Sequence, residues 1–320
     1  MEQTKPVLYV VIPCYNEEAV LPETAPVFKE KLSSLVKVGF ISSLSRILFI
    51  DDGSRDRTWQ ILSCLCDSDP AISAVRLSRN RGHQNALFAG LMEAKNKADI
   101  TISIDCDGQD DLDAMDEMIQ AYLDGCEIVY GVRNDRSSDT LFKRSTAQSY
   151  YRLLNLLGGE VVYNHADYRL VSSRALEALA EFKEVNLFLR GMFPMIGFKS
   201  TCIGYKRRER VAGESKYPLS KMLSLAFDGI TSFSVRPIRI ITGIGIATVL
   251  LSLLLIIYAL VSWSTGYVVP GWASIFITIT LLGGIQLISL GVIGEYIGKI
   301  YMETKGRPRY IVEERKGFEN

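Results

Sequence analysis

Charge is missing from one long stretch of this chain: residues 240–294 contain no Asp, Glu, Lys or Arg. That is about 55 residues, room for two helices of roughly 20 residues and a turn, so a membrane hairpin competes with a soluble core hairpin and is favoured by the length. Histidine is scarce, with only His83 and His165. The six cysteines (Cys14, Cys64, Cys66, Cys106, Cys126 and Cys202) are scattered without a C-x-x-C pair. A zinc site is therefore not expected, and the thiols fit a reduced, cytosolic domain. No G-x-G-x-x-G follows the first apolar run and no G-x-x-x-x-G-K-[ST] occurs, which removes the main support for dinucleotide and P-loop sites. Lys+Arg and Asp+Glu both total 36, so there is no bulk attraction to nucleic acid. The apolar run at residues 7–12 is too short for a signal-peptide core and reads as a first strand.

Apolar runs at residues 7–12, 47–50, 74–77, 100–104 and 128–130 alternate with helical patterns ending near 37 and covering about 58–66, 84–95 and 112–123. Such alternation predicts βαβ units in a mainly parallel sheet, whose ligands bind beyond the carboxyl ends of the strands. Each run ends in a polar cluster. The most informative is Asp105-Cys106-Asp107-Gly108-Gln109-Asp110-Asp111, which follows the alternate isoleucines Ile100, Ile102 and Ile104. Two carboxylates one residue apart, with Gln109 beyond, suit Mg²⁺ or Mn²⁺ with positions left for phosphate oxygens. The plainer alternative is an acidic loop in which Asp110 or Asp111 caps the helix at 112–123.

Residues 145–157 have the spacing of an amphipathic helix, and Asp167 and Arg169 precede a further helix at about Ser173. A basic run, Lys206 to Lys216, precedes apolar residues at helical spacing from Leu219 to Phe233, a pattern that fits a membrane interface. The expected spans are 240–262 and 272–294. Arg236 and Arg239 flank them on one side and Lys299, Lys305, Arg307 and Arg309 on the other, whereas the connection is uncharged. Both ends are thus expected in the cytoplasm, with Trp263, Tyr267 and Trp272 at the far interface. Gly284, Gly291, Gly294 and Gly298 suggest close helix packing or a homo-oligomer.

The chain resembles family 2 glycosyltransferases of the polyprenyl-phosphate sugar transferase type, similar to dolichol-phosphate mannose synthases and bacterial GtrB-like proteins. The resemblance runs from Val7 to about Tyr310. It is carried in order by Val-Ile-Pro-Cys-Tyr-Asn-Glu-Glu (11–18), Asp-Asp-Gly-Ser-Arg-Asp (51–56), Asn-Arg-Gly-His-Gln-Asn-Ala (80–86) and Asp-Cys-Asp-Gly-Gln-Asp (105–110), then by Tyr-Gly-Val-Arg (130–133), Ala-Asp-Tyr-Arg-Leu (166–170), Gly-Glu-Ser-Lys-Tyr (213–217) and the two spans. Gly108 and Asp111 stand where the family commonly has Leu and Pro.

The resemblance implies a Rossmann-like α/β GT-A domain at residues 1–217, an amphipathic segment at 218–237, a two-helix transmembrane hairpin at 238–298 and a cytoplasmic tail at 299–320. It implies that Tyr15 stacks near the base and Asp52 bonds it, with Pro13 and Glu17 shaping the pocket. Asp105, Asp107 and Gln109 would hold the metal and the donor diphosphate. Arg133, Asp167, Arg169 and Lys216 would face the sugar and the acceptor phosphate.

The implied activity is inverting transfer of a hexose, UDP-glucose being the first donor expected, to polyprenyl phosphate at the cytoplasmic face of the inner or plasma membrane. A flippase is a possible partner downstream. The alternatives are a processive polysaccharide synthase and a non-catalytic nucleotide-sugar-binding scaffold. Against the synthase, Gln148-Ser-Tyr-Tyr-Arg152 lacks a Q-x-x-R-W pattern.

Overall fold

The structure, a computed structural model, describes residues 5–133, 165–185, 187–206, 236–265 and 271–318. The expected helix at 145–157, the amphipathic stretch after Leu219, the basic run beyond Lys206 including Lys216, and the connection at 266–270 lie outside the described residues. The chain divides into two compact units, Met1–Arg152 with Glu160–Pro218 and Arg307–Asn320 forming one, and Leu153–Gly159 with Leu219–Gly306 the other.

In the first unit, β1 (Leu8–Cys14) is buried along its whole length. It runs parallel to β2 (Arg46–Asp51) on one side and β4 (Ile100–Ser103) on the other. A parallel strand covered on both faces has no solvent side, which is why its sequence is continuously apolar. α1 (Leu21–Val38) turns Leu21, Ala25, Phe28, Leu32 and Leu35 inward, the larger side chains each stabilising the fold by about 1.5–3 kcal/mol. It stops at Gly39, which takes a φ of 87°, the left-handed cap that favours glycine. α2 (Thr58–Ser68), β3 (Ile72–Leu77) and α3 (His83–Ala94) follow. α3 lies hard against the sheet, since a Cβ on Gly90 would sit 2.4 Å from Val11 Cγ1 and 2.7 Å from Ile50 Cγ1.

After β4 come α4 (Ala114–Leu123), β5 (Ile128–Arg133), β6 (His165–Ser172), α5 (Ser173–Ala180), α6 (Leu189–Met195) and β7 (Ser200–Tyr205). With a last strand, β8 (Val312–Lys316), the described sheet has eight strands in the order β7-β5-β6-β4-β1-β2-β3-β8. Six of the eight strands run one way, as a mainly parallel sheet requires, and β6 is the internal exception, antiparallel to both β4 and β5. β8 is antiparallel to β3.

Two boundaries differ from expectation. β4 ends at Ser103. α4 begins at Ala114, with Asp113 at its N-cap position making no side-chain cap bond. Asp110 is not a cap, being buried and bonded elsewhere as described below, whereas Asp111 Oδ1 accepts from Asp113 N–H at 3.3 Å in the turn that leads into α4.

The last strand was not anticipated, because Val-Glu-Glu-Arg-Lys has the charged composition of a blunted sheet edge rather than of a core strand. It is held firmly. Trp59 Nε1 donates to Glu314 at 3.1 Å, Arg315 Nη2 to Glu93 at 2.6 Å, and the Arg309 guanidinium lies 4.5 Å from the Phe88 ring centroid.

The second unit contains a helical pair, α7 (Arg236–Ser264) and α8 (Trp272–Thr304). Both run past the expected spans, α8 continuing beyond Gly294 to the bend at Gly306, where φ is 56°. At 29 and 33 residues they are about 43 and 50 Å long at 1.5 Å per residue, more than the hydrocarbon thickness of about 30 Å. Large apolar side chains such as Leu254 and Leu287 point outward, 63% and 71% exposed. Among the described residues, Leu281–Thr304 is the one segment long and apolar enough on its own to cross a membrane.

Candidate active site

β4, β1, β2 and β3 are adjacent and parallel, so their carboxyl ends share one edge of the sheet. β6 runs the other way with Ser103 opposite Arg169, and this register carries Asp167 to the same edge beside Asp105. Ser103 Oγ, donating to the Asp167 carbonyl at 2.5 Å, locks that register.

At the β1 and β2 ends the two loops are stitched together. Asn16 N–H donates to Ser54 Oγ at 2.9 Å and Glu17 N–H to Thr58 Oγ1 at 2.9 Å. Pro13 is buried at the end of β1, and Tyr15 is 41% exposed at the rim. Asp52 is buried and accepts from the backbone N–H groups of Arg81 at 2.7 Å and Gly82 at 2.8 Å. It thereby fixes the loop that leads into α3. Burial pushes its carboxyl upward against those two hydrogen bonds.

Beyond β4, Asp105 and Asp107 stand at the edge, with Gln109 N–H donating to Asp107 Oδ1 at 3.1 Å and the Gln109 side chain buried. Burial raises the Asp105 carboxyl, and the nearby Asp167 and Asp107 charges add to the shift. A divalent cation would relieve that strain, and two carboxylates with an amide oxygen are hard donors of the type Mg²⁺ and Mn²⁺ take. Among the described residues no group of three His, Cys, Asp or Glu side chains forms a closed metal cage. An ion here needs further oxygens from its ligand, as magnesium and manganese diphosphate sites do.

Asp167 is the hub of the site. Arg190 holds it in a fork, Nε at 3.2 Å from Oδ1 and Nη2 at 3.0 Å from Oδ2. His83 Nε2 lies 3.4 Å from Asp167 Oδ2 and 3.6 Å from Asp105 Oδ1. Burial alone would raise the Asp167 carboxyl, but Arg190 and His83 outweigh it and hold it well below the usual carboxylate range. For His83, burial opposes the charge, while the hydrogen bond to Asp167 and the Asp105 carboxylate prevail and push it up to about 9.

Arg169, expected to face the sugar and acceptor phosphate, has no exposed surface. Its guanidinium packs 4.3 Å from the Phe193 centroid and 5.9 Å from that of Tyr130, with Nη2 3.7 Å from Asp167 Oδ1. Burial lowers its pKa to about 10. Its place is beneath Asp167, supporting it.

Arg133 lies at the end of β5, where its Nε donates to Tyr205 Oη at 3.3 Å. Tyr205 Oη donates in turn to the buried Asp110 at 2.7 Å. Asp110→Ala is therefore expected to destabilise the fold by about 2–4 kcal/mol, because a buried carboxylate partner is lost beneath a charged group. Thermal unfolding of the purified variant measures this; an unchanged Tm would show that the Tyr205 contact contributes nothing.

The structure thus brings Asp105, Asp107, Gln109, Asp167 and Arg133 to one edge, with Pro13, Tyr15, Glu17 and Asp52 along it. Lys216 lies outside the described residues. His83, Gln84 and Arg190 were not singled out from sequence. For His83 and Gln84 a signal existed, their place just past the end of β3; for Arg190, in an apolar Leu-Phe-Leu-Arg-Gly run, there was none.

Residues 9–180 match the family model described as glycosyl transferase family 2, and residues 236–300 match that of the GtrB C-terminal hairpin. An uncharacterised glycosyltransferase, YkoT of Bacillus subtilis, is 50% identical over 98% of this chain and 93% of its own. The bactoprenol glucosyl transferase of Shigella phage SfX is 38% identical over 96% of this chain and 99% of its own. A prophage bactoprenol glucosyl transferase homologue of Escherichia coli is 39% identical over 96% and 98%.

Proposed function

Because the chain belongs to glycosyl transferase family 2 and carries the GtrB C-terminal hairpin at residues 236–300, we propose that it transfers one hexose from a nucleotide sugar to polyprenyl phosphate at the cytoplasmic face of the membrane. UDP-glucose is the donor we favour. The observation that carries this is similarity to bactoprenol glucosyl transferases along nearly the whole of both chains, catalytic domain and hairpin together.

In this proposal the donor base lies by Tyr15, and Asp105, Asp107 and Gln109 hold a divalent ion with the diphosphate. A metal there supplies Lewis-acid neutralisation of the departing diphosphate. Asp52 acts by holding the 78–82 loop in place, through the backbone bonds it accepts. Arg133 and Lys216 remain our candidates for the acceptor side.

The test is purified protein with undecaprenyl phosphate and, in parallel, UDP-glucose, UDP-GlcNAc, UDP-galactose and GDP-mannose. One hexose per lipid is expected, with glucose transferred fastest. A ladder of longer products would indicate a processive synthase, and no lipid product with any donor a binding scaffold.

Charge and β8 support the topology in this proposal. Both flanks of the hairpin are basic, and the strand after it, β8, belongs to the same sheet as β1 to β7. Both observations support a hairpin whose two ends lie on one side, the cytoplasmic one by its positive flanks. A reporter fused after Asn320 should read cytoplasmic and a tag inserted at Gly266 external. A cytoplasmic signal at Gly266 would mean that the pair is re-entrant rather than spanning.

A further inference from the structure

We propose that Asp167 is a positioning residue rather than the base of the reaction, and that the Arg190 guanidinium it holds is the ligand of the acceptor phosphate. The inference rests on the transfer reaction proposed above.

Both Asp167 oxygens are already engaged. Arg190 takes one with Nε at 3.2 Å and the other with Nη2 at 3.0 Å. Gln84 Nε2 and His83 Nε2 lie 3.5 and 3.4 Å from Oδ2, and Arg169 Nη2 3.7 Å from Oδ1. A carboxylate gripped in an arginine fork must give up charge-assisted hydrogen bonds to accept a proton, which makes it a poor base.

Exposure separates the two partners. The Asp167 side chain is 9% exposed, whereas that of Arg190 is 35% exposed. A ligand approaching the edge therefore meets the guanidinium before it meets the carboxylate.

Arg190 is also well placed and well fixed. Gln84 Oε1 accepts from Leu189 N–H at 3.0 Å, tying the start of α6 to α3. Arg169 stacks on Phe193 one turn further along α6. These two contacts hold one short helix so that its arginine stands beside Asp167, and through His83 within reach of Asp105. Guanidinium is the side chain best shaped to take a phosphate while keeping a second anion.

The chemistry needs no base. A phosphate monoester, with a second pKa of about 6, is largely the dianion at neutral pH. One of its oxygens forms the new bond to the anomeric carbon. The bond from that carbon to the β-phosphate oxygen breaks, and its electron pair leaves with the nucleoside diphosphate. No proton is transferred in the balance, so what the acceptor requires is a cation that orients it.

Initial-rate kinetics on full-length protein, each substrate varied separately, tests this with Arg190→Ala, Arg190→Lys and Asp167→Asn. Arg190→Ala should raise KM for undecaprenyl phosphate roughly 10–100-fold while KM for the nucleotide sugar moves less than about twofold. Arg190→Lys should restore part of that loss, since it returns the charge without the fork. Asp167→Asn should raise the acceptor KM about tenfold, with kcat at saturating acceptor falling less than that.

The proposal is overturned if Asp167→Asn loses about 10³-fold in kcat with an unchanged acceptor KM, the signature of a base. It is equally overturned if Arg190→Ala moves only the nucleotide-sugar KM. Should Asp167→Asn fail to fold, the two Arg190 variants decide alone. Failure of the underlying reaction would appear separately, as absence of lipid-linked sugar with the unaltered protein.

Discussion

Asp107→Ala is expected to lower turnover by about 10³-fold while leaving the fold intact, the scale seen when a main electrostatic stabiliser of a transition state is removed. The fold should survive because Asp107 lies in the loop past β4, outside the buried strands, and accepts from Gln109 N–H two residues on, at 3.1 Å. The chemistry should not survive. In the proposed transfer a nucleoside diphosphate leaves with two adjacent phosphates, and Asp105 and Asp107 are the carboxylates proposed to hold a neutralising ion at this edge. Binding of Mn²⁺, measured calorimetrically in the presence of UDP, should weaken in parallel. Turnover near normal in Mg²⁺ or Mn²⁺ would remove Asp107 from the metal site.

The second large effect is expected at a residue with no side chain. Gly53 takes a φ of 65°, and a Cβ there would lie 2.5 Å from the Arg79 carbonyl carbon and 2.7 Å from Arg79 Cα and Asn80 N. All three are backbone atoms, so no change of rotamer relieves the clash. Left-handed strain and overpacking together should cost about 2–5 kcal/mol in Gly53→Ala. The displaced segment carries the Arg81 and Gly82 N–H groups that Asp52 accepts and leads directly to His83. Activity should therefore fall more than about 100-fold through lost alignment of the site. A variant with wild-type Tm and turnover would show that the 78–82 loop moves freely.

The central strands could be read from the sequence because parallel strands buried on both faces are unbroken apolar runs, as in β1 and β2. β6 escaped because it mixes His165, Asp167 and Arg169 into a strand, and Arg169 is tolerated inside only through Phe193, Tyr130 and Asp167. β7 and β8 escaped because they are the sheet edges, and edges carry polar residues.

The same division holds for the site. Asp105 and Asp107 announce themselves by ending an isoleucine strand. Arg190 does not, because its partner Asp167 lies 23 residues away and only the fold brings the two together. Asp110 read equally well as a helix cap until Tyr205, 95 residues on, proved to be bonded to it.

The most direct test is mass spectrometry of the lipid product formed by purified protein from UDP-glucose and undecaprenyl phosphate, with and without EDTA. The expected result is a single species of one hexose on one polyprenyl phosphate, lost in EDTA and restored by excess Mg²⁺ or Mn²⁺. No hexosyl lipid, or the same yield in EDTA as in Mg²⁺, would contradict it.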